Sequence, residues 1–320
     1  MLTVTEDRFH LAQAFTISRG SKTEARVLTV RVSRGGATGW GECVPYARFG
    51  ETLDAVRAQI ECLPGGITRQ ALQSALPPGA ARNAVDCALW DLEAKVAGKR
   101  VWDLAGLPRP AALDTAYTLS LAAPDEMREA ALRNAHRPIL KIKLGTPDDL
   151  PRLEAVRSGA PRSIILVDAN EGWTPGAYLD LVPHLLRLGV ALVEQPFPAG
   201  KDSALKKLPR PIPVCADESC FDRASLPGLT GKYDAVNLKL DKTGGLTEAL
   251  LTRDLAKAMG FKVMVGCMVG SSLAMAPAVL LAQGADWTDL DGPLLLSEDR
   301  PHPLWYDTEG VHPSDAKLWG

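Results

Sequence analysis

"GVALVEQPFP", residues 189–198, places an apolar run, Val190-Ala191-Leu192-Val193, directly before the carboxylate of Glu194, and a proline follows two residues later. A short apolar run that is bounded by turn residues is typical of a buried strand. A buried strand that ends on an acid is unexpected for packing alone, because carboxylates are rarely buried without a partner. A repeat of this arrangement elsewhere in the chain would therefore indicate a common function for such strand ends.

The arrangement recurs at regular intervals along the chain. The further examples are Asp168 in "SIILVDAN" (163–170), Asp217 in "PIPVCADES" (211–219), Lys141 and Lys143 in "PILKIKL" (138–144), and Lys239 in "YDAVNLKL" (233–240). From Lys143 to Lys239 the successive spacings are 25, 26, 23 and 22 residues. Intervals of this length hold one strand and one helix, so the pattern predicts repeated βα units.

The βα units extend beyond these five runs. Strand-like runs begin near residues 114, 138, 163, 190, 212, 234, 262 and 286, and amphipathic stretches such as "PGAYLDLVPHLLRLG" lie between them. Eight such units predict an α/β fold, a (β/α)8-type barrel (a modified TIM barrel), over residues 113–295. An open doubly wound sheet is disfavoured, because no GxGxxG follows a strand.

The first 112 residues have a different pattern, typical of an α+β capping domain. "RVLTVRVSR" (26–34) alternates like a strand, and the Gly-rich turn and second short strand of "GGATGWGE" follow it. Residues 79–99 predict a long helix with a glycine near its end, with apolar positions at Ala84, Ala88, Leu89, Leu92 and Val96. We expect the tail, residues 296–320, to return to this domain.

The composition excludes several classes of function. Hydrophobic residues make up 46% and charged residues 23%, and the net charge is −2 without a basic block, so we expect neither nucleic acid nor a membrane as a partner. The six cysteines contain no CxxC pair, which disfavours a disulfide framework or a zinc site. The first residues lack a signal-peptide pattern. We expect a soluble cytoplasmic protein that acts on a small molecule.

In a barrel, residues at the carboxyl ends of the strands face one site although they are distant in sequence. Asp168, Glu194 and Asp217 would repel one another there unless a cation lay between them. Oxygen ligands alone suit a hard divalent ion, Mg²⁺ first and Mn²⁺ second. The three carboxylates therefore predict a metal site.

The lysines suggest the chemistry of that site. Lys143 and Lys239 come from the second and sixth strands, on opposite sides of the barrel mouth. Lys141 points inward with Lys143, because the side-chain period of a strand is two. Two inward lysines on one strand are costly unless they are used, so we expect Lys141 to be catalytic as well. A partly buried lysine near a cation is expected to have a lowered pKa and to act as a base. With a metal ion to stabilise the charge formed when an α-proton leaves, the two lysines predict a racemase or epimerase.

Several residues near these strand ends allow more than one interpretation. Lys242 is the alternative to Lys239 as the catalytic lysine of the sixth strand, but its position indicates a loop or a helix start. Glu218, next to Asp217, is a candidate partner for the metal ligands, but strand alternation turns it the other way, so we do not expect it to bind the metal itself. Cys267 and Met268 follow the seventh strand, where we expect them to form part of the pocket wall without a chemical role.

Thr118, near the end of the first strand, is either a substrate contact or an ordinary strand residue. Tyr46 and Phe49 belong to a loop that either closes over a substrate or only packs against the rest of the protein.

The chain also resembles a known family. The KxK of Lys141 and Lys143, the acidic triad and Lys239 resemble the muconate-lactonizing-enzyme subgroup of the enolase superfamily. Further segments are similar to the dipeptide epimerases of the L-Ala-D/L-Glu type: "RGSKTEAR" (19–26), "GWGECVPYARFGET" (39–52), "LPPGAARNAVDCALWDLEAK" (76–95), "ADESC" (216–220), "VNLKLDKTGGLTEAL" (236–250), "GCMVGSS" (266–272) and "DLDGP" (289–293). The resemblance covers nearly the whole chain.

The resemblance implies Mg²⁺-dependent inversion of the α-carbon of a dipeptide's C-terminal residue, in the recycling of murein peptides. It also implies that Asp289 and Asp291 bind the α-ammonium group, a role that suits two carboxylates. Lys22 stands where some members carry an arginine that reads the glutamate side chain. Lysine cannot make that planar bidentate contact, so the preference for glutamate is less firmly implied than the reaction. The superfamily further implies a possible homo-oligomer.

Two other readings remain. The first is another enzyme of the subgroup, an o-succinylbenzoate synthase, an N-succinylamino acid racemase or a cycloisomerase, or an epimerase for dipeptides with other side chains. "DLDGP" argues against the substrates that lack a free amine. The second is a barrel without catalytic activity, which should lack a base or a metal ligand, whereas this sequence has all of them.

Overall fold

The computed structural model describes residues 1–146 and 149–320. Its first part is a three-stranded antiparallel sheet that is followed by helices. The elements are β1 (Leu2–Ile17), β2 (Gly20–Arg34), β3 (Ala37–Cys43), α1 (Leu53–Glu61), α2 (Arg69–Ala75), α3 (Ala80–Ala97) and α4 (Val101–Leu104). The two strands and the long helix expected from the sequence are β2, β3 and α3, and Gly98 ends α3 in the left-handed conformation, with φ 60°.

The second part is a barrel of eight parallel strands in chain order. The strands are β4 (Tyr117–Leu119), β5 (Ile139–Lys143), β6 (Ile164–Asp168), β7 (Val190–Glu194), β8 (Val214–Ala216), β9 (Ala235–Leu238), β10 (Lys262–Gly266) and β11 (Trp287–Asp289). The first and last strands meet where the Ala116 amide donates to the Thr288 carbonyl at 2.8 Å. The predicted barrel and its eight strands are confirmed.

The helices of the barrel depart from a regular repeat. They are α5 (Pro124–Arg133), α6 (Asp149–Gly159), α7 (Pro175–Arg187), α8 (Leu240–Thr243), α9 (Leu246–Ala258) and α10 (Ser272–Leu281). After β7, β8 and β11 the chain forms only 3₁₀ turns, at Ser203–Lys206, Arg223–Leu229 and Gly292–Leu295. Between β7 and β8 five prolines interrupt any helix, because proline lacks the amide donor and restricts the residue before it.

Short strands complete the fold near its end. They are β12 (Tyr306–Asp307) and β13 (Gly310–Val311). The final residues contact α3, since the Trp319 indole donates to the Cys87 carbonyl at 3.0 Å and the Gly320 amide to the Asp91 carboxylate at 2.8 Å. We propose a division into a capping domain, residues 1–112 with 296–320, and a barrel, residues 113–295. Within the described residues no helix is both long and apolar enough to cross a membrane.

Close packing between β3 and α3 fixes the cap. Most of α3 is buried, although Val96 in its last turn is 62% exposed and does not belong to the apolar face expected from the sequence. Gly39 and Gly41 lie against α3, where a Cβ on Gly39 would stand 2.1 Å from the Ala88 carbonyl oxygen. The alternating glycines of "GWGE" are therefore required by the approach of the helix to the sheet.

We expect Gly39→Ala to lower the free energy of unfolding by about 1–3 kcal/mol, because the added methyl group meets helix backbone that cannot move aside. Thermal unfolding measures the effect. Gly65→Ala is the matched control, since a Cβ there has no neighbour within 4 Å and the backbone angle is ordinary. Equal melting temperatures for the two variants would contradict the packing argument.

Candidate active site

A cavity of about 530 Å³ lies between the cap and the carboxyl ends of the barrel strands. Ten of the residues expected at the site line it: Lys22, Thr118, Lys141, Lys143, Asp217, Lys239, Cys267, Met268, Asp289 and Asp291. Asp168 and Glu194 lie one contact away from the lining, each beside a cavity lysine. The structure thus brings together residues that span most of the chain.

Strand register places the central groups side by side. Lys143 pairs with Asp168 across β5 and β6, and Asp168 pairs with Glu194 across β6 and β7. Asp217 follows directly after β8, the next strand. Parallel strands bring their carboxyl ends to one edge, so the regular spacing in the sequence becomes adjacency in space.

Asp168, Glu194 and Asp217 form a buried carboxylate triad, with one ligand oxygen from each within 4.8 Å of the others. Every carboxylate also accepts a hydrogen bond that orients it. The donors are the Asn170 amide to Asp168 at 2.9 Å, the Asn237 side chain to Glu194 at 2.7 Å, and the Lys242 ammonium to Asp217 at 2.6 Å.

The donor set fits a hard divalent cation. Oε2 of Glu194 is buried, and although it lies 2.6 Å from the Lys141 ammonium it has no hydrogen bond of acceptable geometry within the described chain. Burial, with Asp168 nearby, raises the pKa of Glu194 to about 7. An oxygen triad that holds an unsatisfied acceptor is able to hold a hard divalent metal ion.

Lys143 and Lys239 enter the cavity from opposite sides, at the carboxyl ends of the second and sixth of the eight barrel strands. Lys143 donates to Asp168 and Lys239 to Asp217, each at 2.7 Å. Burial alone would lower the pKa of Lys239, but its pairing with Asp217 and Glu194 is stronger and raises that pKa. The lowered pKa that we expect from the sequence depends on a bound cation, so for Lys239 it stays a prediction.

Lys141 has a different environment from Lys143. Its side chain is 1% exposed, and its ammonium lies 2.7 Å from Asp289, 2.6 Å from Glu194 and 3.4 Å from Asp168. These carboxylates outweigh the effect of burial and raise the pKa of Lys141. Its contacts fit a role in balancing the negative charge of the triad and of Asp289 better than a role in proton transfer.

Asp289 and Asp291 present a second acidic pair to the cavity. Asp291 accepts a hydrogen bond from the Thr118 amide at 2.6 Å, which brings Thr118 to this pair through its backbone. Burial, followed by the charge of Asp289, raises the pKa of Asp291 to about 6. Oδ1 of Asp289 is buried and has no hydrogen-bond partner in the described chain, so the pair can accept a cationic amine.

The cap contributes residues to the cavity from the β1–β2 hairpin and from the segment that follows β3. Lys22 is half-buried, its ammonium lies 5.9 Å from the centre of the Phe15 ring, and burial lowers its pKa to about 8. Tyr46 and Phe49 line the same cavity, and the Phe49 ring packs edge-on against Phe221 with centroids 4.8 Å apart. Arg19 joins these two segments to the barrel by donating to the Tyr46 hydroxyl at 3.1 Å and to Glu218 at 2.9 Å.

The structure corrects the expected orientation of Glu218. Strand alternation turned its side chain away from the site, but it is buried, lines the cavity and pairs with Arg19. The reason is that β8 ends at Ala216, so alternation does not extend to Glu218. Asn237 was missed, although it precedes Lys239 by two residues and alternation would have placed it on the inner face.

Comparisons with known proteins agree with this geometry. Residues 1–106 match the family described as Mandelate racemase / muconate lactonizing enzyme, N-terminal domain, and residues 125–299 match the Enolase C-terminal domain-like family. The chain is 44% identical to the L-Ala-D/L-Glu epimerase of Escherichia coli (strain K12) over 97% of this chain and 98% of that protein. It is 46% identical to an N-acetyl-D-glutamate racemase of a Pseudoalteromonas species, over 88% of this chain and 91% of that one.

A solved structure is similar over the full length. It is an enolase family member from Agrobacterium tumefaciens with homology to dipeptide epimerases, with bound sodium and L-Ala-L-Glu. The TM-score is 0.98 at 53% identity, over 100% of this chain and 99% of that one. The fold and site define a barrel enzyme of the isomerase class, as the named relatives are epimerases and racemases. The chain belongs to the mandelate racemase and muconate-lactonizing-enzyme family of the enolase superfamily.

Proposed function

We propose that the protein is a Mg²⁺-dependent dipeptide epimerase of the L-Ala-D/L-Glu type, which inverts the α-carbon of the C-terminal residue. The observation that carries the proposal is the position of Lys143 and Lys239 on opposite sides of one cavity, each hydrogen-bonded at 2.7 Å to a member of the carboxylate triad. The E. coli and A. tumefaciens relatives, whose names refer to this dipeptide, support the choice of substrate. We further propose that the reaction takes place in the cytoplasm, in the recycling of murein peptides.

The two lysines perform the proton transfer. The neutral lysine on one side takes the α-proton, and the protonated lysine on the other side returns a proton to the opposite face, so that the configuration inverts. Held by Asp168, Glu194 and Asp217, Mg²⁺ would supply a Lewis acid for the substrate α-carboxylate, which gains negative charge as the proton leaves. Lys141 balances the negative charge of Glu194 and Asp289 between the two bases.

The acidic pair and Lys22 orient the substrate. Asp289 and Asp291 accept the α-ammonium group of the dipeptide, while Lys22 attracts a side-chain carboxylate from the cap side. Cys267 and Met268 form part of the pocket wall and take no part in the chemistry. Burial raises the pKa of the Cys267 thiol, which disfavours the reactive thiolate.

The experiment that tests the proposal is incubation of the purified protein with L-Ala-L-Glu and Mg²⁺ in D₂O, followed by NMR of the glutamate α-proton. We expect the α-proton to exchange and L-Ala-D-Glu to appear, and EDTA to abolish both. If L-Ala-L-Glu keeps its glutamate α-proton in the presence of the Mg²⁺-loaded protein, that dipeptide is not the substrate. A panel of other dipeptides would then identify the side chain that is accepted.

A second candidate is the racemisation of N-acylated glutamate. The 46% identity to an N-acetyl-D-glutamate racemase favours it, whereas the carboxylate pair of Asp289 and Asp291 favours a free amine. Turnover of N-acetyl-L-glutamate and of L-Ala-L-Glu, measured side by side, separates the two. A higher kcat/KM for the acetylated compound would assign the protein to the second activity.

Lys22 predicts a pH-dependent preference for an acidic side chain. Its pKa, lowered to about 8 by burial, means that the ammonium is charged below that pH and neutral above it. We therefore expect the ratio of kcat/KM for L-Ala-L-Glu to that for L-Ala-L-Gln to fall about tenfold between pH 7 and pH 9. Lys22→Arg should hold the ratio constant, because arginine stays charged. A constant ratio in the wild type would remove Lys22 from substrate binding.

A further inference from the structure

Lys242, the second lysine of "KLDK", remains unexplained by the proton transfer. It lies in the short helix α8, as its position in the sequence indicated, but its ammonium group is fully enclosed and does not line the cavity. Lys239, three residues earlier, faces the cavity. The two lysines therefore differ in access to a substrate although both contact Asp217.

The hydrogen bonds of Lys242 use its full donor capacity. The ammonium donates to Oδ1 of Asp217 at 2.6 Å, to the Asp217 carbonyl at 2.6 Å and to the Asn237 carbonyl at 2.9 Å. A lysine has three N–H donors, so none remains for a substrate. The contacts instead hold both the backbone and the side chain of Asp217.

Asp217 is thus held from two sides. Lys239 binds Oδ2 and Lys242 binds Oδ1, while the Asp217 amide donates to the Gln195 side chain at 2.9 Å. Only the first of these contacts involves a group that would exchange protons with a substrate. When Lys239 loses or gains a proton or turns toward a substrate, Lys242 still holds the Asp217 carboxylate, and Gln195 still holds the Asp217 backbone.

We propose that Lys242 is a positioning residue, which fixes Asp217 in the orientation of a metal ligand through its bonds to Oδ1 and to two backbone carbonyls. The proposal rests on the proposed function only as far as the metal site, not on the substrate. The proposal predicts the direction in which the affinity for Mg²⁺ changes when Lys242 is replaced. A cation beside the triad repels Mg²⁺, so its removal would tighten metal binding if charge alone mattered, and would weaken binding if positioning dominates.

The test is a calorimetric titration of EDTA-treated Lys242→Met with Mg²⁺ alone. We expect the Kd to rise about 10–100-fold relative to the wild type, the range found when an outer-shell partner of a ligand is removed. Lys95→Met is the matched control, because Lys95 donates at 2.7 Å to Asp91, a buried carboxylate of α3 remote from the triad, and its Kd should stay within about twofold of the wild type. An unchanged or lower Kd in folded Lys242→Met would overturn the proposal.

Lys242→Gln keeps the inference testable if the methionine variant does not fold. Its amide can still donate to Asp217 but carries no charge, so we expect a Kd between those of the wild type and Lys242→Met, with the epimerase activity restored at high Mg²⁺. A Kd for Lys242→Gln at or below that of the wild type would likewise refute positioning. Mg²⁺ binding without turnover of any dipeptide by the wild type would defeat the proposed substrate and leave this inference standing.

Discussion

Single replacement of Lys143 or of Lys239 by alanine is expected to lower the rate of L-Ala-L-Glu epimerisation by about 10²–10⁴-fold, the usual contribution of a general acid or base. Both lysines are needed for inversion because they lie on opposite sides of the cavity, and neither can reach both faces of one α-carbon. The rate is measured by the appearance of the second diastereomer.

Proton exchange separates a two-base mechanism from a general loss of structure. Each variant retains one base, so we expect each to exchange the α-proton of one diastereomer in D₂O, and the two variants to act on opposite diastereomers. Neither variant should convert one diastereomer into the other. Exchange of both diastereomers by one variant would show that a single base serves both faces, and would contradict the assignment.

Lys262→Ala is the control for this pair. Lys262 begins β10 at the amino end of the barrel, where it is exposed and lies 5.3 Å from the centre of the Trp287 ring. Residues at this end contribute to stability and not to catalysis in barrels of this type. We expect its kcat/KM to equal that of the wild type.

The sequence predicted the barrel because two independent regularities agreed. Strand-like runs recurred at one spacing, and the polar residues Lys143, Asp168 and Glu194 stood at the same place in successive runs. In parallel strands this spacing dictates that the residues meet at one edge, so the site followed from the fold. Asp289 and Asp291 came from the resemblance, and the structure places both in the same cavity.

The contacts between side chains were beyond the reach of the sequence pattern. Lys242 and Lys239 look alike in "KLDK" and both are buried, but the turn into α8 after β9 directs only Lys239 into the cavity. Glu218 was misplaced because strand alternation gives no information past the last paired residue, and β8 ends two residues earlier. The pairing of Lys239 with Asp217 and Glu194 was likewise not foreseen, and in it the two negative charges outweigh burial and raise the pKa of Lys239.

Replacement of Glu194 by glutamine is expected to weaken Mg²⁺ binding by more than about 100-fold, because loss of an outer-shell partner alone weakens binding by about 10–100-fold. Glutamine conserves the shape of the side chain and removes the charge of the ligand at the centre of the triad, next to Lys141. Calorimetry with Mg²⁺ measures the affinity, and epimerisation should be lost in parallel.

Thermal unfolding provides an independent readout of the same change. Mg²⁺ should raise the melting temperature of the wild type, because it binds the folded state, and should leave that of Glu194→Gln unchanged. Glu154→Gln is the control, since Glu154 is a half-exposed residue of α6 that pairs with Arg187 on the surface. A Glu194→Gln variant that Mg²⁺ stabilises as strongly as the wild type would place the metal elsewhere. Loss of Mg²⁺ binding in Glu194→Gln, with binding retained in Glu154→Gln, would tie the metal, and with it the acidity of the α-proton, to the strand end at Glu194.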